Sequence, residues 1–264
     1  MSKAYLGPDT FMTAAKATSS LDISVLVPVM NEAGNIRPLI DEICDALTGR
    51  SFEIIYINDG SDDGSADELQ AACEDVAELR VFTHEYRSGQ SAALRTGLLR
   101  ARGRLTAVLD GDGQNVPADL PNLIDALEEM KPAEGMAGGV RVNRKDTAAK
   151  RYASILARWI RRTILQDTHP DSGCGIKVVD TDLFRRLPFF NHMHRFMPAL
   201  VRREGGVVLA VPVQHRGRMI GSSKYTNLNR MIVGISDLLG VIWLIRRSAK
   251  PGKVSEMEKI KDDR

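Results

Sequence analysis

Cysteine is scarce in this sequence, with three residues in 264, at Cys44, Cys73 and Cys174. Their spacing matches no metal-binding motif, and a small odd number is typical of free thiols in a reducing compartment. Long apolar runs are also missing, because no stretch reaches the roughly 18–20 uninterrupted apolar residues that a transmembrane helix needs. Residues 1–20 have no long apolar core either, which argues against a secretory signal and predicts a flexible N-terminal segment.

Charge of one sign is not in excess. The formal net charge is +2, so the composition does not indicate a polyanion-binding protein, and we expect no nucleic-acid partner. The sequence also has no G-x-G-x-x-G and no G-x-x-x-x-G-K-[ST] motif, which argues against a dinucleotide site or a P-loop. An apolar content of 43% is ordinary for a globular protein and suffices for the core of a large α/β domain.

The most informative stretch is 105–115, which reads L-T-A-V-L-D-G-D-G-Q-N. Its first half predicts a buried strand of a parallel sheet. Asp110 and Asp112, followed by Gln114, then place hard oxygen ligands at the carboxyl end of that strand, where open α/β sheets bind ligands. Such ligands suit Mg²⁺ or Mn²⁺ bound together with substrate phosphates. The alternative is an ordinary strand-to-loop turn, in which Asp and Gly are common.

Strands and helices alternate four times before residue 131. Apolar runs predict strands at 22–29, 52–57, 79–83 and 105–109, and helical spacing predicts helices at 37–47, 66–73, 90–101 and up to residue 130. This alternation predicts a doubly wound parallel sheet. Right-handed crossovers place the strand-to-helix loops at one edge of such a sheet. We therefore expect four polar loops to converge there: Asn31-Glu32, Asp59-Gly60-Ser61, Arg87-Ser88-Gly89-Gln90 and Asp110-Gly111-Asp112.

The pattern changes after residue 131. A strand is predicted at 136–142 and a long helix at 150–166. A basic amphipathic helix is typical of a membrane-surface element, although a solvated charged face over a core-facing stripe gives the same pattern. The basic side of this helix consists of Lys150, Arg151, Arg158, Arg161 and Arg162.

Shorter segments follow. A Gly-rich turn is predicted at 171–177, helical patterns at 181–187 and 192–203, and a strand at 207–213. Residues 214–225 are dense in Arg, Lys, Gly and Ser, which suits a loop that binds phosphate or diphosphate and equally suits a disordered surface loop.

Residues 231–245 are the most apolar segment, interrupted by Ser236 and Asp237. The segment is too short and too polar in its middle to span a bilayer comfortably. It predicts an interfacial or partner-docking helix, with a buried core helix as the alternative. We assign an amphipathic membrane- or partner-docking helix to 226–250 and a disordered charged tail to 251–264.

Several motifs together resemble a known family. V-P-V-M-N-E at 27–32, N-D-G-S-D-D-G-S at 58–65, R-S-G-Q at 87–90 and L-D-G-D-G-Q-N at 109–115 resemble the family 2 inverting glycosyltransferases with the GT-A fold. D-S-G-C-G-I-K at 171–177, R-F-M-P-A-L at 195–200 and R-M-I-G-S-S-K at 218–224 resemble the polyprenyl-phosphate glycosyltransferases, which include dolichol-phosphate mannose synthase and bacterial undecaprenyl-phosphate glycosyltransferases. The resemblance implies a single α/β domain of the GT-A type at 21–225, with a mostly parallel sheet between helices.

The resemblance also implies three sets of site residues. The donor nucleotide would be bound by Pro28, Asn31, Glu32, Asp59, Asp110 and Arg218. The divalent metal, Mg²⁺ or Mn²⁺, would be held by Asp110, Asp112 and Gln114. The acceptor phosphate would face Arg141, Ser223 and either Lys150 or Arg151. Three of these side chains would act directly in catalysis, namely Asp112, Arg218 and Lys224.

Two positions depart from the family pattern. The family usually has D-A-D-L-Q where this chain has D-G-D-G-Q at 110–114, and we expect Gly111 and Gly113 to loosen the loop without removing a ligand. The family commonly has D-D-G-S after the second strand, where this chain has Asn58 and Asp59. The uncharged amide at position 58 leaves the nucleotide preference open.

The implied reaction is a single displacement, in which a dolichyl- or undecaprenyl-phosphate oxygen attacks the anomeric carbon of GDP-mannose or a UDP-hexose. Such an acceptor is ionised near neutral pH, so no strong base is needed. The implied partners are the nucleotide-sugar, the polyprenyl phosphate, the membrane surface and a membrane-embedded partner protein. The protein would lie peripherally on the cytoplasmic face of the membrane. Two alternatives stay open: a family 2 transferase with a soluble or other lipid acceptor, and a non-catalytic module that binds nucleotide-sugars.

Overall fold

The structure is a computed structural model that describes residues 21–130, 134–142, 162–165, 167–217 and 227–249. The predicted N-terminal segment and C-terminal tail lie outside these ranges. So does most of the helix predicted at 150–166, of which residues 162–164 are described and helical. The candidate site residues Arg151, Arg218, Ser223 and Lys224 also lie outside the described residues.

The first half of the chain has the predicted alternation of strands and helices. Helix α1 illustrates its cause, because Ile36, Leu39, Ile40 and Ile43 follow helical spacing and all four are buried. The elements are β1 (Ile23–Val29), α1 (Ile36–Ala46), β2 (Phe52–Asn58), α2 (Ser65–Asp75), β3 (Leu79–Thr83), α3 (Gln90–Leu98), β4 (Leu105–Val108), a 3₁₀ turn (Pro117–Asp119) and α4 (Leu120–Glu129).

The second half differs from the prediction in two places. The sequence at 192–203 does not form one helix, because a 3₁₀ turn at Met193–Arg195 precedes the helix that begins at Met197. No strand was predicted at 177–180, where the structure has one. The elements are β5 (Gly135–Arg141), β6 (Lys177–Asp180), α5 (Thr181–Arg186), α6 (Met197–Arg203), β7 (Val207–Val213) and α7 (Asn227–Arg246).

These seven strands form one mostly parallel sheet with the order β3-β2-β1-β4-β6-β5-β7. The pairs β1–β2, β2–β3, β1–β4 and β5–β7 are parallel, whereas β6 runs antiparallel to both of its neighbours. The antiparallel direction has a consequence for the site. It brings Lys177, the first residue of β6, beside Val108, the last residue of β4.

Apolar side chains on the two faces of the sheet form two cores. Alternate residues of one strand contribute to opposite cores, as Val25 and Leu26 of β1 do. The first core packs against α1, α2 and α4, and the second against α3, α5, α6 and α7. The sheet therefore lies between two helical layers, which confirms the predicted α/β architecture.

Within residues 234–246, helix α7 packs one side on the second core. Val241 is buried, and Leu238, Ile242 and Ile245 are partly buried against the same core. The other side exposes Ile235, Leu239 and Trp243, which are 54%, 62% and 60% accessible. Among the helices within the described ranges, none is both long and apolar enough to cross a bilayer.

Candidate functional site

The loops after β1 and β2 are joined to each other. Asn31 has a left-handed backbone with φ of 59°. Its side chain donates to the Asp62 carboxylate and accepts the Asp62 backbone N–H at 3.0 Å. Its own N–H donates to Ser61 Oγ at 3.0 Å. Reciprocal bonds of this kind hold a strained asparagine in place, and they fix the geometry of the loop that contains Asn31 and Glu32, just after Pro28 near the end of β1.

Much of the acidic turn after β2 serves the neighbouring helix. The Glu68 carboxylate of α2 accepts the N–H groups of Gly34 at 2.7 Å and Arg37 at 3.0 Å. Asp63 likewise accepts the N–H of Ala33 at 3.2 Å. The first N–H groups of a helix have no partner within the helix, and negative charge is favourable at that end. These acidic side chains therefore support the start of α1.

Asp59 is buried, and its carboxylate accepts hydrogen bonds from the loop before α3. Its Oδ1 accepts His84 Nδ1 at 2.7 Å and the N–H of Ser88 at 2.8 Å, and its Oδ2 accepts the N–H of Gly89 at 2.7 Å. The second ring nitrogen of His84 lies 2.9 Å from Thr96 Oγ1. Asp59 thus positions the start of α3, whereas its predicted contact with the nucleotide stays a prediction. His84 was not among the predicted residues, and nothing in its spacing marks it.

Asp110 and Asp112 lie in the loop that leaves β4, as predicted. Asp110 Oδ1 accepts Gln90 Nε2 from the start of α3 at 2.8 Å, and Asp112 Oδ1 accepts the N–H of Gln114 at 3.1 Å. Burial raises the pKa of Asp110, and the nearby charge of Asp112 raises it further, while the charge of Lys177 acts in the opposite direction. The site therefore contains two neighbouring carboxylates, which is a favourable arrangement for a divalent cation.

Lys177 is the principal site residue that the sequence did not single out. Its side chain is buried at the start of β6, where burial lowers its pKa and the Asp110 carboxylate opposes that effect. Its ammonium group donates to the carbonyl of Cys174. The available signal was its place at the end of the D-S-G-C-G-I-K motif, but only the antiparallel β6 brings it to the Asp110 loop.

Two glycines allow these segments to approach closely. A Cβ on Gly175 would come closer than 3.0 Å to Asp110 and to Asn115, and a Cβ on Gly111 would come closer than 3.0 Å to Val29. The expectation that Gly111 loosens the loop is therefore wrong, because Gly111 is packed against the end of β1. Gly113 has φ of 70°, a turn conformation that favours glycine.

Arg141 lies near this cluster and is paired with Asp171. Its Nε and one terminal nitrogen donate to the two Asp171 oxygens at 2.7 and 2.8 Å, a bidentate geometry. The charge of Arg141 also acts on both Asp110 and Lys177. The proposed contact of Arg141 with an acceptor phosphate stays a prediction.

Residues 214–216, which precede the Arg- and Lys-containing stretch 218–224, lie beside the loop that contains Asp110. Asn115 and His215 form an isolated antiparallel bridge, and the N–H of Arg216 donates to the carbonyl of Gln114 at 3.1 Å. The N–H of Gln214, the residue before His215, donates to the buried Asp119 carboxylate at 2.7 Å. The segment that enters residues 218–224 is therefore attached directly to the segment that follows Asp112.

The donor set suits a cation shared with a ligand rather than a closed protein site. Within the part of the chain that the structure describes, no cluster of three or more His, Cys, Asp or Glu side chains could hold a metal. Mg²⁺ is usually bound by one or two carboxylates together with phosphate oxygens. Asp110 and Asp112 fit that requirement, and Gln114 follows them in the same loop.

Comparison with known proteins identifies relatives over most of the chain. A family model described as glycosyl transferase family 2 matches residues 24–190. The dodecaprenyl-phosphate galacturonate synthase of Rhizobium johnstonii is 33% identical over 242 residues, which cover 88% of this chain and 70% of that protein. The undecaprenyl-phosphate 4-deoxy-4-formamido-L-arabinose transferase of Pseudomonas paraeruginosa is 32% identical, and the match covers 82% of this chain and 64% of that protein. The chain thus spans about two thirds of the length of these curated relatives.

The fold is also similar to that of solved structures. Glucosyl-3-phosphoglycerate synthase from Mycobacterium tuberculosis, solved with Mn²⁺, uridine-diphosphate-glucose and phosphoglyceric acid, matches with a TM-score of 0.67 at 17% identity. The match covers 88% of this chain and 82% of that one. The same enzyme in complex with Mg²⁺ and uridine-diphosphate matches with a TM-score of 0.64. At this level of identity the comparison establishes the fold alone, and it confirms the expected GT-A type.

Proposed function

Because the chain belongs to glycosyl transferase family 2, we propose that it transfers a sugar from a nucleotide-sugar to a polyprenyl phosphate. The observation that best supports this proposal is the carboxylate pair Asp110 and Asp112, at the carboxyl end of the central strand β4 and beside the buried Lys177. The curated relatives, which are named for transfer to dodecaprenyl or undecaprenyl phosphate, support the acceptor class. The product would be a lipid-linked monosaccharide.

On the donor side, Pro28, Asn31 and Glu32 would line the nucleotide pocket at the end of β1, together with Asp59. Asp110, Asp112 and Gln114 would hold Mg²⁺ or Mn²⁺. When bound, that cation would neutralise the charge that develops on the leaving diphosphate. The metal-bound structures of the fold neighbour support the use of a divalent ion in this fold. The identity of the nucleotide and of the sugar, GDP-mannose or a UDP-hexose, is left to the assay below.

On the acceptor side, the phosphate would be oriented by positive charge from Arg141 and Arg151 and by a hydrogen bond from the Ser223 hydroxyl. Arg218 and Lys224 would stabilise the leaving diphosphate, and the attachment of residues 214–216 to residues 114–119 supports that assignment. A phosphate monoester is already ionised near neutral pH, so its oxygen can attack the anomeric carbon without a strong general base. The carbon–oxygen bond to the nucleoside diphosphate breaks as the new bond forms.

A polyprenyl acceptor lies in a membrane, so the protein must reach one. The exposed side of α7 suits this, because Ile235, Leu239 and Trp243 lie one turn apart and Arg246 and Arg247 follow at its end. We propose that this side rests on the membrane surface and that the protein works peripherally on the cytoplasmic face. A membrane-embedded partner protein could share this surface.

The test is a transfer assay with purified protein, undecaprenyl phosphate in detergent and a panel of labelled UDP- and GDP-sugars, with Mn²⁺ or Mg²⁺. We expect label from one donor to move into the organic phase and EDTA to abolish that movement. A donor that binds without moving label to the lipid would overturn the acceptor assignment. A soluble-acceptor transferase or a non-catalytic binding module would then be the better description.

A further inference from the structure

Arg216 joins three separate parts of the chain. Its two terminal nitrogens donate to the two carboxylate oxygens of Glu42 on α1, both at 2.9 Å. Its Nε donates to the carbonyl of Gly113. Its backbone N–H donates to the next carbonyl, that of Gln114, at 3.1 Å. A single residue thus binds two consecutive carbonyls of the loop that contains Asp110 and Asp112.

Glu42 is a firm anchor for this arrangement. It lies on α1, where the nearby residues Ile40 and Ile43 are fully buried in the first core. The pair is only partly accessible, with 32% of the Arg216 side chain and 34% of the Glu42 side chain exposed. The Arg216 side chain is also held by its contact with Gly113, so the bidentate pair loses less conformational entropy than a flexible surface pair.

The contact between Arg216 and Gly113 affects the shape of the loop that presents Asp112. Gly113 lies between Asp112 and Gln114 and has φ of 70°, so the direction of its carbonyl sets how the loop turns away from Asp112. Arg216 lies two residues before Arg218 in the sequence. The same guanidinium therefore constrains both the loop that presents the carboxylates and residues 214–217, which precede Arg218.

We infer that Arg216 is a positioning residue, which Glu42 orients so that it holds the Asp110–Gln114 loop in its metal-binding geometry. This inference rests on the proposed function for the presence of a divalent cation. Arginine is suited to the task, because its planar fork can serve Glu42 and Gly113 together, whereas a lysine would supply a point charge to one of them. Residues that orient metal ligands from outside the coordination sphere typically change metal affinity by about 10–100-fold when they are removed.

The test measures Mn²⁺ binding by the full chain, with Mn²⁺ alone and with Mn²⁺ plus UDP or GDP, by electron paramagnetic resonance. We expect Arg216→Gln and Glu42→Gln each to weaken Mn²⁺ binding by about tenfold. The double variant should lose little more than either single variant, because both substitutions remove one interaction. Arg216→Lys should restore part of the affinity. Where turnover is measurable, we expect the KM for the donor to rise more than kcat falls.

The control is Arg50, which pairs with Asp125 and Glu128 and whose side chain is 29% exposed, close to the 32% of Arg216. Neither of its partners belongs to the Asp110–Gln114 loop. Arg50→Gln should change Mn²⁺ affinity by less than about twofold, because a partly exposed surface charge is screened by solvent and holds no part of the Asp110–Gln114 loop. If Arg216→Gln fails to fold, Glu42→Gln decides the question, because it removes the anchor and leaves the Gly113 contact possible.

Wild-type affinity for Mn²⁺ in a folded Glu42→Gln or Arg216→Gln variant would overturn the inference, as would additive losses in the double variant. Wild-type protein that binds no Mn²⁺ even with UDP or GDP would also overturn it. Failure of the proposed function looks different. In that case Mn²⁺ binding and its dependence on Arg216 persist, while no label reaches the polyprenyl phosphate.

Discussion

Lys177 pairs with Val108 across the antiparallel β4–β6 ladder, and Val108 lies two residues before Asp110. A buried ammonium group therefore faces the first carboxylate of the candidate metal loop from the neighbouring strand. Burial lowers the pKa of Lys177 and raises that of Asp110, and each charge opposes the effect on the other. Two charged side chains with opposite pKa shifts at the carboxyl edge of the sheet are typical of a functional site.

Replacing Lys177 by Gln should make Mn²⁺ binding more sensitive to acid. The charge of Lys177 lowers the pKa of Asp110 against the larger effect of burial. Without it the pKa of Asp110 rises, so the carboxyl group is protonated at higher pH and cannot bind the cation. We expect the pH at half-maximal Mn²⁺ binding to move upward relative to wild type, measured from about pH 5 to about pH 8. Superimposable profiles would contradict this coupling, and Arg50→Gln is the charge-loss control.

Gly175→Ala should damage the site more than the fold. The new Cβ would come closer than 3.0 Å to both Asp110 and Asn115, so the Asp110 carboxylate must move. We expect at least about a tenfold loss of Mn²⁺ affinity, with a stability cost of about 1–3 kcal/mol in urea denaturation. Gly217→Ala is the matched control, because nothing lies within 4 Å of a Cβ there. Equal Mn²⁺ affinity in both variants would exclude close packing at Gly175 as a requirement of the site.

The strands and helices up to residue 130 were predictable because each has a clear apolar period and a polar loop after it. Strand β6 was not, since K-V-V-D is four residues long and lies between a Gly-rich turn and a helix. No local signal encodes its antiparallel direction either. The position of Lys177 depends on that direction and was therefore missed.

The candidate carboxylates could be located but not all of their roles could be assigned. Asp110 and Asp112 were identified because they follow a buried strand. Asp63 also lies in an acidic turn after a buried strand, and Glu68 follows on α2. In the structure, however, these two carboxylates accept N–H groups of Ala33, Gly34 and Arg37. That difference depends on how the β1 and β2 loops meet, and this is a tertiary contact without a period in the sequence.

Asp112→Asn should abolish turnover and leave the fold intact. The asparagine can still accept the N–H of Gln114, as Asp112 Oδ1 does at 3.1 Å. It cannot supply the negative charge that a divalent cation needs. We expect the transfer rate to fall by about a hundredfold or more, with an unchanged unfolding midpoint. Asp125→Asn on the exposed side of α4 should retain the wild-type rate, and a wild-type rate for Asp112→Asn would remove Asp112 from the metal site.

Replacing Ile235, Leu239 and Trp243 together by Ser should weaken binding to anionic vesicles. These side chains are more than half exposed, so the substitution removes apolar surface without opening a core. Even partial burial of three such side chains contributes more than about 1.4 kcal/mol, so we expect at least a tenfold weaker partition in a sedimentation assay. Val207→Ser, at an exposed apolar position on β7, should not change it. If the triple variant partitions as the wild type does, the exposed side of α7 does not bind the membrane and α7 is an ordinary surface helix.

His194 should make the protein sensitive to acid. Its Nδ1 lies 2.8 Å from Ser91 Oγ, and burial, followed by the charges of Lys177 and Arg195, lowers its pKa from 6.5 to about 3. The unfolded chain therefore binds a proton near pH 6.5 that the folded protein rejects until about pH 3. The stabilisation is complete above the unfolded pKa and is lost as the pH falls toward the folded one.

We expect this residue to remove on the order of 2 kcal/mol from the free energy of unfolding between about pH 7 and about pH 4. A His194→Gln variant can still hydrogen-bond to Ser91 but does not titrate. Its stability, measured by urea denaturation, should therefore decline less steeply over that range than that of the wild type. If the two proteins lose stability in parallel, His194 is already protonated in the folded protein. The charged ring, which packs against α3, would then need another polar partner.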